Sequence, residues 1–437
     1  MKKAVLGVCA VMATAAVTAE PVVSDVTFEQ DPASRRVTNT YSLSDEPAIV
    51  TVDILTNGVS IGENNLTHFA GDVNRVVSNG ADEKTVYWYP DKAWPDHKVD
   101  AAVARVTAWA TNAPPDYMVL DLSDGRMTYY TSTNCLPDGG LVNDVYRTEK
   151  IVFRKIPARG VTWRMGSPTG ELGRADDETP HLVTLTQDYW FGIYPVTMGQ
   201  HKMIKGDNSP FAPAISFFTN LSCYATRPIT GVGMKSLRSW TANYWPAAGH
   251  AIDGGTHLSA LRDRVGGVPF DLPTEAQWEY AARAGVGTAL TTGNNLTSKS
   301  EDSQLDELGR YWKNCELADN GDSNASIRAN DDASGTSKVG IYKPNRWGIY
   351  DIHGNVAELC LDWYAAYAGD LNTVQTNPKG TEKTSGGKYV ARGGFWGYTV
   401  NNGAACCRLA SRRQADNASD SVATLRHFGY RLCLEIP

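Results

Sequence analysis

The stretch LPTEAQWEYAARAG, residues 272–285 of a 437-residue chain, reads as one short helix in a sequence otherwise poor in helical period. Pro273 opens it, the Thr274 hydroxyl is placed to cap it, and Glu275 and Glu279 favour its positive end. Ala276, Tyr280 and Arg283 follow at helical spacing, and Gly285 stops the run. A second helix is expected in MKSLRSWTANYW, residues 234–245. Most of the remaining chain on this side reads as loop with short strands.

Upstream the pattern is β. RRVTNTYSLS, AIVTVDILTNG, KTVYWYP and DAAVARVTAWAT are short β-branched or aromatic runs. Turn signals such as TNG, SNG and YPDKAWPD separate them. Such strands over about a hundred residues fit an immunoglobulin-like or fibronectin-like sandwich. No catalytic constellation falls there, so spacing, adhesion or presentation is its expected role. TNAPPDY reads as a proline-stiffened linker. YMVLDLS and EKIVFRKI read as strands leading into a larger domain. The expected organisation is a leader at residues 1–19, a sandwich at 20–112, linker and connecting strands at 113–143, and the second domain at 144–437. The fold class is α+β.

The chain opens MKKAVLGVCAVMATAAVTAE: two lysines, a short apolar run, then small residues before Glu20. This is the pattern of a secretory signal cleaved after Ala19, too short to span a bilayer. Export to a periplasmic or secreted location follows, with no membrane span and Cys9 lost with the leader. A net charge of −7 without a Lys/Arg block argues against a nucleic-acid partner. The cysteines left are Cys135, Cys223, Cys315, Cys360, Cys406, Cys407 and Cys433, with no CxxC among them. The histidines form no HxH or HExxH, so a histidine-ligated metal is not expected.

Seven pieces in fixed order carry a family likeness: WRMGSPTGELGRADDETPHLVTL from Trp163, YWFGIYPVTMGQ, LPTEAQWEYAARAG, PNRWGIYDIHGNVAEL, DWY, ARGGFW and FGYRLCLE. Together they resemble the formylglycine-generating enzyme, or sulfatase-modifying factor, family over roughly residues 144–437. The resemblance implies an elaborated C-type-lectin fold with many tethered loops. Independently of it, Arg392, Arg408, Arg412 and Arg431 suit bidentate ties to carboxylates such as Glu178, Glu275 and Asp362.

In DIHGNVAE, Asp351 and Glu358 stand seven residues apart around a bend, an arrangement that suits a hard cation. The resemblance implies calcium there, held by the Asp351 and Glu358 side chains and the Gly354 and Val356 carbonyls. The tryptophans flanking this glutamate in the family are Ala357 and Leu359 here, which implies poorer shielding from water.

In YVARGGFWGYTVNNGAACCRLASRRQ, residues 389–414, the family's two copper-binding cysteines correspond to Tyr398 and Gly403, and its serine to Phe395. A phenol and a hydrogen cannot replace thiolates, so copper is not expected. Cys406 and Cys407 lie too far along to substitute. The resemblance implies a Cys360–Cys407 disulfide instead, leaving the pairing of Cys135, Cys223, Cys315, Cys406 and Cys433 open. The expectation is a binding module whose site is formed by Phe395, Trp396, Tyr398, Asn401 and Asn402, with a protein, peptide or carbohydrate ligand. The alternative is an oxidoreductase of the family.

Overall fold

Thr274 and Gln277 build the start of the helix between them. The Thr274 hydroxyl accepts the Gln277 N–H at 3.2 Å, and Gln277 Oε1 accepts the Thr274 N–H at 2.8 Å. This reciprocal capping box satisfies donors that a helix start otherwise strands. The helix runs Glu275–Arg283, and left-handed Ala284 (φ 44°) and Gly285 (φ 87°) end it. All nine of its residues are buried, charged ones included.

The computed structural model containing this helix describes residues 20–99, 101–206, 224–239, 244–315, 335–367, 369–383, 386–397, 403–415 and 427–437. The expected leader, Cys223, Tyr398, Asn401 and Asn402 lie outside the described residues. The chain divides into two units, Met1–Pro114 and Pro115–Pro437.

The first unit holds two antiparallel sheets. In one, Val37–Ser44 pairs with Gly80–Trp88, Val22–Ser24 and Glu29–Gln30. In the other, Ala48–Thr56 pairs along its whole length with Ala102–Ala110. Val37, Asn39, Tyr41 and Leu43 alternate inward along their strand, the period of two that a half-buried sheet imposes.

The second unit begins earlier than residue 144. Tyr117–Asp121 pairs with Met127–Tyr130 on one side and Lys150–Ile156 on the other, so these strands belong to its sheet. Tyr189–Gly192 and Cys433–Glu435 complete five antiparallel strands. A second sheet orders Arg412–Ala415, Tyr389–Arg392, Ala357–Trp363 and Phe428–Gly429. The main apolar cluster joins the two sheets through Met118, Phe153, Trp190, Leu359, Leu361 and Tyr430.

Of the helix expected over residues 234–245, the structure shows Met234–Leu237, and residues 240–243 lie outside the described residues. The helix stops where Arg238 leaves helical geometry and turns its guanidinium to Asp271 and the Gly249 carbonyl. Two helices not anticipated from periodicity, Met198–Lys205 and His257–Arg264, start at Thr197 and Thr256 caps. They bring His201 and His257 together, stacked at 4.0 Å with 3° between ring planes. Both His257 ring nitrogens are buried without a protein partner. Burial first, then the charges of His201 and Lys205, hold its pKa well below the ordinary value.

Neutral His257 therefore contributes stability that is present above the unfolded-state pKa near 6.5. That contribution is lost as pH falls toward the depressed folded value. Denaturant titrations should show stability dropping by about 1.4 kcal/mol per pH unit below 6.5 from this group. His257→Phe, which keeps the stack, should flatten that slope.

Candidate functional site

The strand Ala357–Trp363 is buried throughout, and its alternation separates two environments. Ala357, Leu359, Leu361 and Trp363 join the apolar cluster. The other face carries Glu358, Cys360 and Asp362, and the first and last of these bond to the segment that begins and forms the Glu275–Arg283 helix. Trp278 Nε1 donates to Glu358 Oε2 at 2.7 Å, and the Glu275 N–H donates to Asp362 Oδ2 at 2.6 Å. Carboxylates in such a place need cations, because an uncompensated buried charge is very costly.

Arginines supply most of them. Arg431 grips Glu358 through Nη2–Oε1 at 2.6 Å and Nε–Oε2 at 2.9 Å. Arg412 holds Glu275 with the same fork at 2.6 and 2.9 Å. Arg408 reaches Glu178 and Glu171, and Arg392 with Arg283 encloses Glu279. Burial raises the Glu279 carboxyl, but Arg283 and Arg392 outweigh it and leave the pKa below its ordinary value. Asp362 was expected to share in these ties and does not. Its bond is to the helix N-terminus, and burial followed by the Glu275 charge pushes its pKa up to about 7.

The DIHGNVAE loop is fixed by its backbone. At Gly354, φ is 140° and a β-carbon would lie 2.1 Å from the Arg310 carbonyl oxygen, so only glycine fits. His353 Nδ1–H donates to the Cys407 carbonyl at 2.7 Å and Nε2 accepts the Thr291 N–H at 3.1 Å, linking three segments. Asp351 accepts the Gly340 N–H at 2.7 Å and an Asn355 Nδ2–H at 3.2 Å. Burial raises its carboxyl to about 6.

Those residues fit a calcium ion unequally. Asp351 is a buried carboxylate that no ion pair reaches among the described residues. Glu358 already accepts three hydrogen bonds, which leaves about one of its four lone-pair directions. Ala357 and Leu359 pack into the core on either side, and Glu358 is 1% exposed.

The Arg-Gly-Gly turn has positive φ at Gly393 and Gly394, and a β-carbon on Gly394 would lie 2.6 Å from Cys407 Sγ. Beyond it the chain heads inward. Phe395 joins the main cluster, 4.3 Å from the His427 ring with the Arg413 guanidinium 4.4 Å over its face. Trp396 is 6% exposed, and its carbonyl accepts Cys315 Sγ at 2.6 Å. Phe395 and Trp396, two of the residues expected to form a binding site, are thus both buried.

Gly403 is covered as well. A β-carbon there would stand 1.6 Å from Trp312 Nε1, whose N–H donates to the Ser300 carbonyl at 2.8 Å. The indole fills the place any side chain at 403 would need.

No bridge joins Cys360 and Cys407 in this structure. Both cysteines are buried and unbridged, and no disulfide joins the described cysteines. Cys360 lies on the charged face near Glu275, Asp362 and Arg392. Cys407 lies in a separate apolar cluster with Leu290, Leu305 and Tyr311. Burial raises both thiol pKa values.

The family described as Sulfatase-modifying factor enzyme 1-like domain matches residues 158–436. Formylglycine-generating enzyme of Thermomonospora curvata is 32% identical over 164 residues, 37% of this chain and 48% of that enzyme. Chaperone protein LppX of Paenibacillus barcinonensis is 29% identical over 227 residues, 50% of this chain and 72% of that protein. Among solved structures, Treponema denticola variable protein 1 aligns with a TM-score of 0.44 and 21% identity, over 66% of this chain and 96% of that one. The chain spans about half the length of the Thermomonospora enzyme that it matches. By a match over well more than half of its residues, the chain belongs to the sulfatase-modifying factor enzyme 1-like family.

Proposed function

We propose that this chain is an exported member of the family that binds a protein or peptide and does not generate formylglycine. The observation that carries the reading is Gly403 beneath Trp312. Where the family resemblance calls for a copper thiolate, there is neither a thiol nor space for one. Phe395, at the serine position, is packed into the core. The likeness to a protein named as a chaperone supports a protein ligand. Burial of Phe395 and Trp396 removes the stacking surface that favoured a sugar. The first unit is proposed as an immunoglobulin-like sandwich that presents the second, a C-type-lectin-like domain.

Incubating the copper-treated protein with a sulfatase-type cysteine peptide should leave the peptide mass unchanged. Conversion of the thiol to the aldehyde would overturn the proposal in favour of an oxidoreductase. Gly403→Cys combined with Tyr398→Cys should not restore copper(I) binding, and should lower stability by about 1–3 kcal/mol or more through overpacking against Trp312. Stoichiometric copper in that variant would show that the indole yields easily.

Calcium is proposed at the 351–358 loop, with Asp351 as the anchor and Glu358 lending its remaining lone pair. Calcium there would supply positive charge to Asp351 and so rigidify the loop. Adding calcium should raise the melting temperature, and Asp351→Asn should abolish the rise. An equal rise in the variant would rule out this loop as the site.

A further inference from the structure

The strand Ala102–Ala110 closes one side of its sheet. It pairs with Ala48–Thr56 over nine successive residues without a register shift, and among the described residues no strand pairs with its other edge. The bonds of its neighbour set which of its backbone groups face that edge. Val50 donates its N–H to the Arg75 carbonyl at 3.3 Å and accepts the Asn74 N–H at 2.7 Å, and the Ile54 carbonyl accepts the Ile61 N–H at 3.0 Å. Even-numbered residues of Ala48–Thr56 therefore turn their backbone groups away from Ala102–Ala110. Because an antiparallel ladder alternates, Val103, Arg105, Thr107 and Trp109 bond to that strand, and Ala104, Val106 and Ala108 point their N–H and carbonyl groups outward.

Sheet proteins guard a bare edge with proline, lysine, a bulge or a short strand. None of these protects AVARVTAWA: it has nine residues, and its one charge, Arg105, is paired with Asp53 of the neighbouring strand at 2.6 Å. The stretch instead complements itself. Set antiparallel to a second copy about Val106, Ala102 meets Ala110, Val103 meets Trp109, Ala104 meets Ala108 and Arg105 meets Thr107. The outward groups of Ala104, Val106 and Ala108 then find partners in one another. Valine opposite tryptophan is a favourable cross-strand pair. Other registers do worse. Centring the pairing on Arg105 sets two arginines opposite each other, which is unfavourable. Centring it on Thr107 leaves Ala102 and Val103 beyond the end of the partner strand.

We propose that the protein forms a two-fold dimer at this edge, the Ala102–Ala110 strands of two copies pairing about Val106 into one continuous sheet. The interface is isologous, a form that closes at two copies and leaves this edge unavailable to a third. On the outer face, Arg105 of each copy lies between its own Asp53 and the partner's Thr107, so no like charges stand opposite. The inference rests on the first unit alone and is independent of what the second unit binds.

Sedimentation velocity of the full chain over a concentration series tests this, and a reversible dimer is expected. Val106→Pro removes an N–H that points outward and keeps the bonds to Ala48–Thr56, since proline is tolerated where an edge strand's N–H faces solvent. It should give monomer with an unchanged circular dichroism spectrum. Thr107→Glu sets a carboxylate opposite the partner's Arg105 and should tighten the dimer about twofold or more, while Thr107→Lys should loosen it by a like factor. A dimer that persists in folded Val106→Pro, or whose dissociation constant ignores both changes at Thr107, would overturn the proposal. So would wild-type protein that stays monomeric at every concentration. If that monomer bound a synthetic Thr-Val repeat peptide, and folded Val106→Pro did not, the edge would belong to a strand of another protein instead.

Discussion

The second unit depends on one interaction: Glu358 on a buried strand and Glu275 and Glu279 on a buried helix each meet a guanidinium. Glu279 is completely enclosed, and Arg392, Arg283 and the Gly166 N–H converge on it. Arg392 also donates to the carbonyls of Leu409, Ala410 and Ser411, so a single side chain fixes the helix, its own strand and the returning loop. Such a pair adds little net stability over an apolar pair of equal volume. Removing one partner, however, strands the other charge at a cost of about 3–5 kcal/mol. The network therefore acts on specificity: alternative loop arrangements leave charges unmatched.

This explains how a unit with few helices and short strands holds its loops. Arg408 joins residues more than two hundred positions apart in sequence when it binds Glu171 and Glu178. Arg431 does similar work between the C-terminal segment and Glu358, while Trp278 satisfies the same carboxylate from the helix. Cys360 and Cys407 are unbridged, and around them the forks take the place that disulfides occupy in many loop-rich domains. Cys360 lies within this charged layer, which separates it from the apolar pocket of Cys407.

Much of this was legible from residue types. The Thr274 cap, the Gly285 stop and the strand period at residues 37–44 are local rules, and local rules survive folding. The arginine ties were legible as a kind of interaction, because few partners suit a guanidinium away from water. Which carboxylate each arginine takes was not, and Asp362 shows the difference: its bond goes to a backbone N–H that only the tertiary fold brings near. The depth of Phe395 and Trp396 was likewise hidden, since an aromatic beside a glycine turn reads equally as binding surface or core. The stack of His201 on His257 joins two helices whose only sequence signal was a threonine before each.

Gly403 carries the last step, because a missing side chain has two different physical meanings. Had the glycine bordered open space, the loss of a thiol would have left a hole, and a cysteine placed there would meet nothing. Protein interiors tolerate such holes poorly, since each lost contact forfeits dispersion energy. Here the Trp312 indole lies where the side chain would go, anchored by its N–H on Ser300 and packed against the cluster of Ala404, Ala405 and Cys407. The glycine and the indole form one packing solution, and neither changes alone without strain or a void. A thiol at 403 would require the wall around it to be rebuilt, because the indole already fills that place.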